Sequence, residues 1–359
     1  MKTLEFIKTN GIDALETLLD ISIKQADDLI MFNYNQIKSP KMHEVVKECR
    51  SLMIDKDLNI VSRSFDRFFN LGEGETKIDD WNNVTFYDKV DGSLVKVYCY
   101  KNNWYVSTKG TLFGESLVGD FNITFKELVY KSIEIETDEQ FNDLCDRLLD
   151  KNNTYIFEVT SRENRVVKRY DGYKLWYLAT RVNKTGEYVQ LDYDNLDLFG
   201  CSFINEYSFK SKEDCQATIE NFDNLEEGFV VYENGVPVAK IKSPLYVAMH
   251  RIKGEGLTNN RIKEIILLNE QDEYLTYFPE DEIYFTDYIN SYQNMIWHME
   301  TDWMAYNNII DQKEFALHVK DFAYAPVLFM AKRQGQHAVN VFADMTPNQR
   351  MNIFNKFLE

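Results

Sequence analysis

The sequence predicts an α+β protein: a region of antiparallel sheets followed by an all-helical C-terminal region. Three observations lead there. From about Ser51 to Lys242 the chain is a succession of short, alternating or aromatic-rich runs separated by turn signals, the pattern of strands in antiparallel sheets. After Lys253 the apolar residues fall at helical spacing instead, as in Ile262, Ile265, Ile266 and in Ile289, Tyr292, Ile296, Met299. A length of 359 residues with 44% hydrophobic and 14% aromatic content is enough to bury more than one core. Two domains are expected, residues 1–253 and 254–359, with the boundary near 243–256.

Taken in order, the strand-like runs are Leu52–Ile54, Asn59–Phe65, Val84–Val90, Ser93–Tyr100, Trp104–Thr108, Thr154–Thr160, Arg165–Tyr170, Tyr173–Thr180, Gly228–Glu233 and Val236–Lys242. Lys101–Asn103 and Asn234–Val236 carry the Asn and Gly that tight hairpins need, because those residues accept positive φ. The stretch from Asn122 to Asp150 leaves room for helices. Beyond the boundary only Pro279, Pro326 and Pro347 punctuate the helical spacing, and the aromatic residues there (Trp297, Trp303, Phe315, Phe322, Phe329) read as helix-packing core.

Lys and Arg number 40 against 58 Asp and Glu, a net charge of −18, so bulk charge does not coat this molecule onto nucleic acid or anionic membrane. Any polyanion must meet a local basic site. Three islands stand out: Lys89–Gly110 holds four lysines against Asp91 alone, Thr160–Arg181 six basic residues against Glu163 and Asp171, and Val238–Lys253 four with no acid. Each island by itself reads as a solvated strand face; three in one acidic protein point to a folded anion site. The five cysteines are widely spaced without a CxxC, which argues against a disulfide framework and against structural zinc, and fits a reducing cytoplasm. The N-terminal apolar residues are broken by Lys8, Asp13 and Glu16, and the longest apolar stretch, Phe322–Ala331, contains a proline, so the chain is expected to be soluble, with no membrane partner. The five histidines form no ligand spacing and read as structural or surface residues.

The chemistry centres on Lys89-Val90-Asp91-Gly92-Ser93, between two strand-like runs. A lysine at a strand end is a nucleophile once its ammonium loses a proton, and neighbouring cations such as Lys240 and Lys242 would lower its pKa. Gly92 would let backbone approach a ligand. Alone, K-x-D-G is a weak signal. It is followed in order by Ser107-Thr108-Lys109-Gly110, Tyr155-Ile156-Phe157-Glu158, Glu226-Glu227-Gly228-Phe229-Val230-Val231 and Ala239-Lys240-Ile241-Lys242-Ser243.

In that order the segments resemble motifs I, Ia, III, IV and V of the covalent nucleotidyltransferases, the superfamily of ATP-dependent RNA and DNA ligases and mRNA capping enzymes. Within it the chain is most similar to the tRNA-repairing RNA ligase family of the T-even bacteriophages. The likeness runs through Glu48-Cys49-Arg50, Ser62-Arg63, Arg67-Phe68-Phe69-Asn70-Leu71, KVDGS, TKGT, Phe157-Glu158 with Asn164-Arg165, Lys184–Tyr188 and KIKSPLY. The helical tail is matched in kind rather than by motif. Arg67 stands where the phage enzymes carry lysine, keeping a cation with altered geometry, and Thr111 where they carry serine, keeping a hydroxyl.

The resemblance implies a nucleotidyltransferase domain in residues 1–253 and an RNA- or tRNA-specificity role for 254–359. Lys89 would attack the α-phosphate of ATP and form a lysyl-AMP intermediate; AMP would pass to a 5′-phosphate RNA end, and a 3′-hydroxyl would displace it. Lys240 and Lys242 would contact the α-phosphate, while Arg50, Arg67 and Lys109 would hold the outer phosphates or the RNA phosphate. Glu158 and Glu227 would bind Mg²⁺, with Mn²⁺ as a substitute; Asp91 would join that shell, and Asp272 would serve a second metal. Leu178 and Val230 would sandwich the adenine. Propensity alone reads Leu178 and Val230 as strand core, Glu158 and Glu227 as strand-end acids, and Arg50 and Arg67 as surface cations. The implied substrate is nicked tRNA, cut in the anticodon loop. The implied setting is host cytoplasm, with the chain a monomer working beside an end-healing polynucleotide kinase/phosphatase. Alternatives are a catalytically inactive RNA-end-binding protein, a DNA ligase or a capping enzyme; the last two would carry a β-rich OB-fold after motif V.

Overall fold

The computed structural model describes residues 1–35, 38–73, 76–119, 121–189, 193–222, 225–253 and 257–359. The chain divides into two compact units, Met1–Val247 and Ala248–Glu359. The first opens with helices α1 (Lys2–Asn10) and α2 (Asp13–Leu19), then strands β1 (Ile21–Ala26) and β2 (Leu29–Tyr34), helix α3 (Glu44–Glu48), β3 (Arg50–Asp55), β4 (Ile60–Ser62) and β5 (Phe69–Asn70). β6 (Val84–Asp88), β7 (Ser93–Tyr100) and β8 (Asn103–Thr108) follow, then α4 (Phe125–Ser132), α5 (Asp138–Leu148), β9 (Asn153–Thr160), β10 (Lys174–Val182) and β11 (Tyr188–Val189). The unit is completed by α6 (Tyr193–Leu198), β12 (Ser202–Phe203), β13 (Glu206–Tyr207), α7 (Lys212–Glu220), β14 (Gly228–Glu233) and β15 (Val236–Lys242), the last running into α8 (Pro244–Lys253).

Among the described residues the strands make three sheets, ordered β1-β2-β3-β4, β11-β10-β9-β7-β8 with β12 beside β10, and β13-β6-β14-β15-β5. Each buries one face under helices. Leu15, Val45 and Val46 cover Ile21, Phe32 and Leu52 of the first. Leu128, Val129, Phe141 and Cys145 of α4 and α5 cover Val95, Val97, Phe157 and Val159 of the second. Cys215 and Ile219 of α7 lie on Phe86, Phe229 and Val231 of the third. Successive side chains of a strand point to opposite faces, so Leu94 of β7, Glu158 of β9 and Val230 of β14, each half-buried, stand on the faces opposite those the helices cover and line a site there.

The α+β class, with antiparallel ladders and a helical C-terminal region, is what the chain adopts, with local differences. β5 with β15 and β12 with β10 pair in parallel, because short strands arriving from distant loops dock on a free edge rather than turning back in a hairpin. Arg165–Tyr170, expected as a strand, forms none: the Val167 and Lys168 amides donate to the Asp91 carboxylate at 2.8 and 2.6 Å, which removes them from any ladder. Asn122–Asp150 holds two helices, each opened by its own capping box at Thr124 and Thr137. The β1–β2 hairpin, turning at Asp27 with φ 52°, lies before the region read as strands. The two tight turns are as expected: Lys101 and Asn102 take φ 49° and 63°, and Asn234 and Gly235 take 51° and 76°.

The second unit holds α9 (Asn259–Leu267), α10 (Gln271–Tyr277), α11 (Glu282–Tyr306), α12 (Gln312–Val319), α13 (Ala325–Gln334), α14 (Ala338–Asp344) and α15 (Pro347–Leu358). Met295, Met299 and Trp303 of the long α11 form its spine, and Phe315, Val319, Leu328, Phe342 and Phe354 pack round them. All five cysteines are free thiols. Among the described residues no helix is long and apolar enough to cross a membrane.

Candidate active site

β6 ends at Asp88, and the Lys89 amide donates to the Gly228 carbonyl at 2.8 Å, so the lysine leaves the third sheet beside the start of β14. Gly228 also pairs with Lys242 of β15. That contact is so close that a Cβ on Gly228, at φ +133°, would stand 2.0 Å from the Ile241 carbonyl oxygen. Glu227 is thereby held between two lysines. Its Oε2 accepts from Lys89 Nζ at 2.7 Å and its Oε1 lies 2.7 Å from Lys242 Nζ, with the carboxylate nearly sealed from solvent. Burial works against the charge on Glu227, but Lys89 and Lys242 hold its pKa below the usual carboxylate value.

Lys89 itself departs from expectation. Burial favours the neutral amine, yet the Glu227, Glu158 and Asp91 carboxylates outweigh it and hold the lysine pKa above its ordinary value. The neighbouring carboxylates, not the neighbouring lysines, set its charge state. Glu158, in β9 opposite Leu94, is pushed up to about 8 by burial, with Glu227 adding repulsion against the pull of Lys89.

Lys89, Glu158 and Lys242 border a cavity of about 320 Å³. Of the residues singled out in the sequence, Arg50, Arg67, Lys89, Glu158, Leu178, Val230, Lys240 and Lys242 line it. Leu178 projects at the bulge in β10, and Val230 lies between Tyr87 of β6 and Lys240 of β15. Lys109 joins the same basic wall: its ammonium sits 4.7 Å from the Tyr34 ring centre, with the Arg67 guanidinium 4.3 Å from that centre. Burial, then Arg50 and Arg67, push the Lys109 pKa down. Burial, then Lys89, Arg50 and Lys242, push Lys240 down to about 8. Mutual repulsion of this kind is relieved by a bound polyanion. Arg67 is buried, and its Nη1 has no hydrogen-bond partner among the described residues.

Two expected ligands have other duties. Asp91 is 2% exposed; its Oδ2 accepts the Val167 and Lys168 amides and its Oδ1 accepts the Tyr246 hydroxyl at 2.6 Å, so it ties β7's approach to the 165–170 loop and to α8 rather than facing the cavity. Gly92 is required by packing: a Cβ there would meet the Val159 carbonyl oxygen at 2.5 Å and Thr160 Cγ2 at 2.8 Å. Asp272 belongs to α10 of the second unit. Among the described residues no cluster of three or more His, Cys, Asp or Glu has metal-holding geometry. Glu158 and Glu227 thus offer two carboxylates, a partial shell that suits Mg²⁺ when water and phosphate oxygens complete it. Sequence reading missed Tyr34, Phe68 and Tyr246 as site residues. Phe68 faces Arg50 at 5.6 Å and Lys240 at 6.0 Å, and Lys242 lies 5.3 Å from the Tyr246 ring. An aromatic residue beside a basic motif was the one available signal.

A sheet-bounded cavity with a strand-end lysine, two buried carboxylates and a basic wall is suited to holding a polyanion. The family model described as RNA ligase, of the T4 type, matches residues 48–246, and the chain belongs to that RNA ligase family. It is 37% identical over 302 residues to a putative bifunctional polynucleotide kinase/RNA ligase of Autographa californica nuclear polyhedrosis virus, a match covering 79% of this chain and 43% of that protein. The chain therefore spans less than half the length of that relative. An RNA ligase of Rhodothermus phage RM378 is 23% identical over 322 residues, 73% of each chain. Among solved structures, an archaeal ATP-dependent RNA ligase aligns over 93% of this chain and 82% of its own with a TM-score of 0.42 and 12% identity.

Proposed function

We propose that this chain is an ATP-dependent RNA ligase that joins 5′-phosphate and 3′-hydroxyl ends through a lysyl-AMP intermediate. The observation that carries the reading is the Lys89–Glu227–Lys242 bridge at the edge of a cavity lined by Arg50, Arg67 and Lys240, with Lys109 against the Tyr34 ring beside it. Lys89 Nζ bonds to the α-phosphorus as the bond to pyrophosphate breaks; the proton it must first lose has Glu227 as its nearest acceptor. Lys240 and Lys242 offset charge growing on the α-phosphate, and the unpartnered Arg67 Nη1 takes an outer phosphate oxygen. A divalent ion, Mg²⁺ or Mn²⁺, held by Glu158 and Glu227 would neutralise the carboxylates that now keep Lys89 protonated. Leu178 and Val230 offer the adenine an apolar slot. The AMP then moves to the RNA 5′-phosphate, breaking the P–N bond, and leaves when the 3′-hydroxyl attacks.

The substrate we propose is tRNA cut in its anticodon loop, with the chain acting as a monomer in host cytoplasm. That the baculovirus relative is a putative bifunctional polynucleotide kinase/RNA ligase supports pairing with an end-healing kinase/phosphatase. The helical region after residue 253 would select the RNA, with Asp272 offered to a second metal. Incubation with labelled ATP and Mg²⁺ is expected to give an acid-labile adduct that maps to Lys89 and is absent in Lys89→Ala. An adduct elsewhere, labelling by GTP or NAD instead, or no adduct with any of them would overturn the reading, the last in favour of an inactive RNA-end binder.

A further inference from the structure

We propose that Asn33 and Lys96 are positioning residues that together set the polyphosphate wall, acting on Arg50 and Lys109 through the backbone of Ser51. The proposal rests on the ATP reading above. Between β2 and β3 the register slips, so that Phe32 pairs with Leu52 and Asn33 with Arg50. Ser51 is the extra residue. It is 1% exposed and adopts φ +53°, a left-handed conformation that is uncommon for a residue other than glycine, asparagine or aspartate. A bulge of this kind leaves one amide and one carbonyl outside the ladder and re-aims the side chain beside it, here Arg50.

Both displaced groups are satisfied by buried side chains. The Ser51 amide donates to Asn33 Oδ1 at 2.9 Å, and the Ser51 carbonyl accepts from Lys96 Nζ. Asn33 is 7% exposed and Lys96 1%. The other end of the Asn33 amide reaches across the fold, where Nδ2 donates to the Lys109 carbonyl at 2.8 Å. One asparagine thereby ties the backbone next to Arg50 to the backbone of Lys109, and Arg50 and Lys109 are close enough to repel each other. Among the described residues no carboxylate pairs with Lys96, and its one bond is to the Ser51 carbonyl. A lysine buried without a counter-charge is costly and is maintained only where its hydrogen bond does something an apolar residue cannot. Here it holds a left-handed residue in the one orientation that sends Arg50 into the cavity.

The test uses the full-length protein with Lys96→Met and Asn33→Ala, following self-adenylation by ATP and, separately, sealing of pre-adenylated RNA. The expected result is a rise of about tenfold in the KM for ATP, with kcat for adenylation changed less than twofold and sealing largely retained, since the outer phosphates are absent from that step. Combined with Arg50→Ala, Lys96→Met is expected to add little further, because it acts through Arg50. An unchanged KM, an equal loss of adenylation and sealing, or full additivity with Arg50→Ala would each overturn the proposal; the equal loss would assign both residues to stability alone. Failure of the wild type to adenylate would instead overturn the ATP reading on which this one stands.

Discussion

Arg67 shows how one side chain is prepared for a ligand. It is 7% exposed, its Cζ lies over Tyr34 at 4.3 Å and over Phe69 at 5.3 Å, and its backbone amide is pinned to the Lys47 carbonyl at 2.8 Å. Ring faces hold a guanidinium in place without using its N–H groups, which leaves Nη1 free for a phosphate. Arg67→Ala is therefore expected to damage reaction with ATP far more than sealing of pre-adenylated RNA, from which pyrophosphate has already departed. Equal damage to the two steps would assign Arg67 to RNA binding or to stability. Lys96 yields a second prediction at this scale. Burial lowers its pKa from 10.5 to about 7, so between those values the unfolded chain binds the extra proton and folding gains from rising pH. The stability difference between wild type and Lys96→Met should shift in favour of wild type from pH 7 to 9.5, by up to about 1.4 kcal/mol per pH unit. Urea midpoints at the two pH values check it, and a constant difference would contradict it. The neutral amine still donates to the Ser51 carbonyl, so the bond survives the titration.

At the scale of elements, the site depends on how closely β14 and β15 approach where they begin and end. Gly228 pairs with Lys242, and the Ser243 amide donates to the Glu227 carbonyl at 2.8 Å, which seats the carboxylate between its two lysines. Gly228→Ala would place a methyl 2.0 Å from the Ile241 carbonyl oxygen at a φ of +133°, so the strands must part. A loss of at least about 2 kcal/mol in stability is expected, together with loss of self-adenylation even in the folded fraction. Thermal unfolding and labelling with ATP measure the two effects, and a variant that labels normally would show that the bridge tolerates displacement. The hairpins at Lys101–Asn102 and Asn234–Gly235 were legible because positive φ selects residue types locally. The 165–170 loop was not: its Val-Val pair has strand character, but a buried carboxylate more than 70 positions away claims its amides.

The whole molecule carries its charge unevenly. Residues 254–359 have a net charge of −8, unsuited to non-specific phosphate binding, whereas the basic wall is confined to the first unit. A chain ending after Lys253 is expected to keep self-adenylation and joining of short single strands while losing preference for a nicked anticodon stem-loop over unstructured RNA of equal length. Soluble truncated protein that fails to label with ATP would make the helical region part of the chemistry, as the role offered to Asp272 requires. Unchanged preference for the stem-loop would place substrate choice in the first unit.

By itself the sequence determined the α+β class, the two hairpin turns, the helical tail and the ordered segments that carry Lys89, Glu158, Glu227, Lys240 and Lys242, because periodicity, turn chemistry and motif spacing are properties of neighbouring residues. Only the tertiary structure decided that Asp91 binds Tyr246 and two loop amides, that Gly92 and Gly228 are spacers between backbones, that carboxylates hold Lys89 protonated, and that Asn33 and Lys96 meet at Ser51. Tyr246 lies 155 positions from Asp91, and Lys96 lies 45 from Ser51. Contacts at such separations leave no local pattern, since they are set by which strand edges and sheet faces come together once the chain has folded.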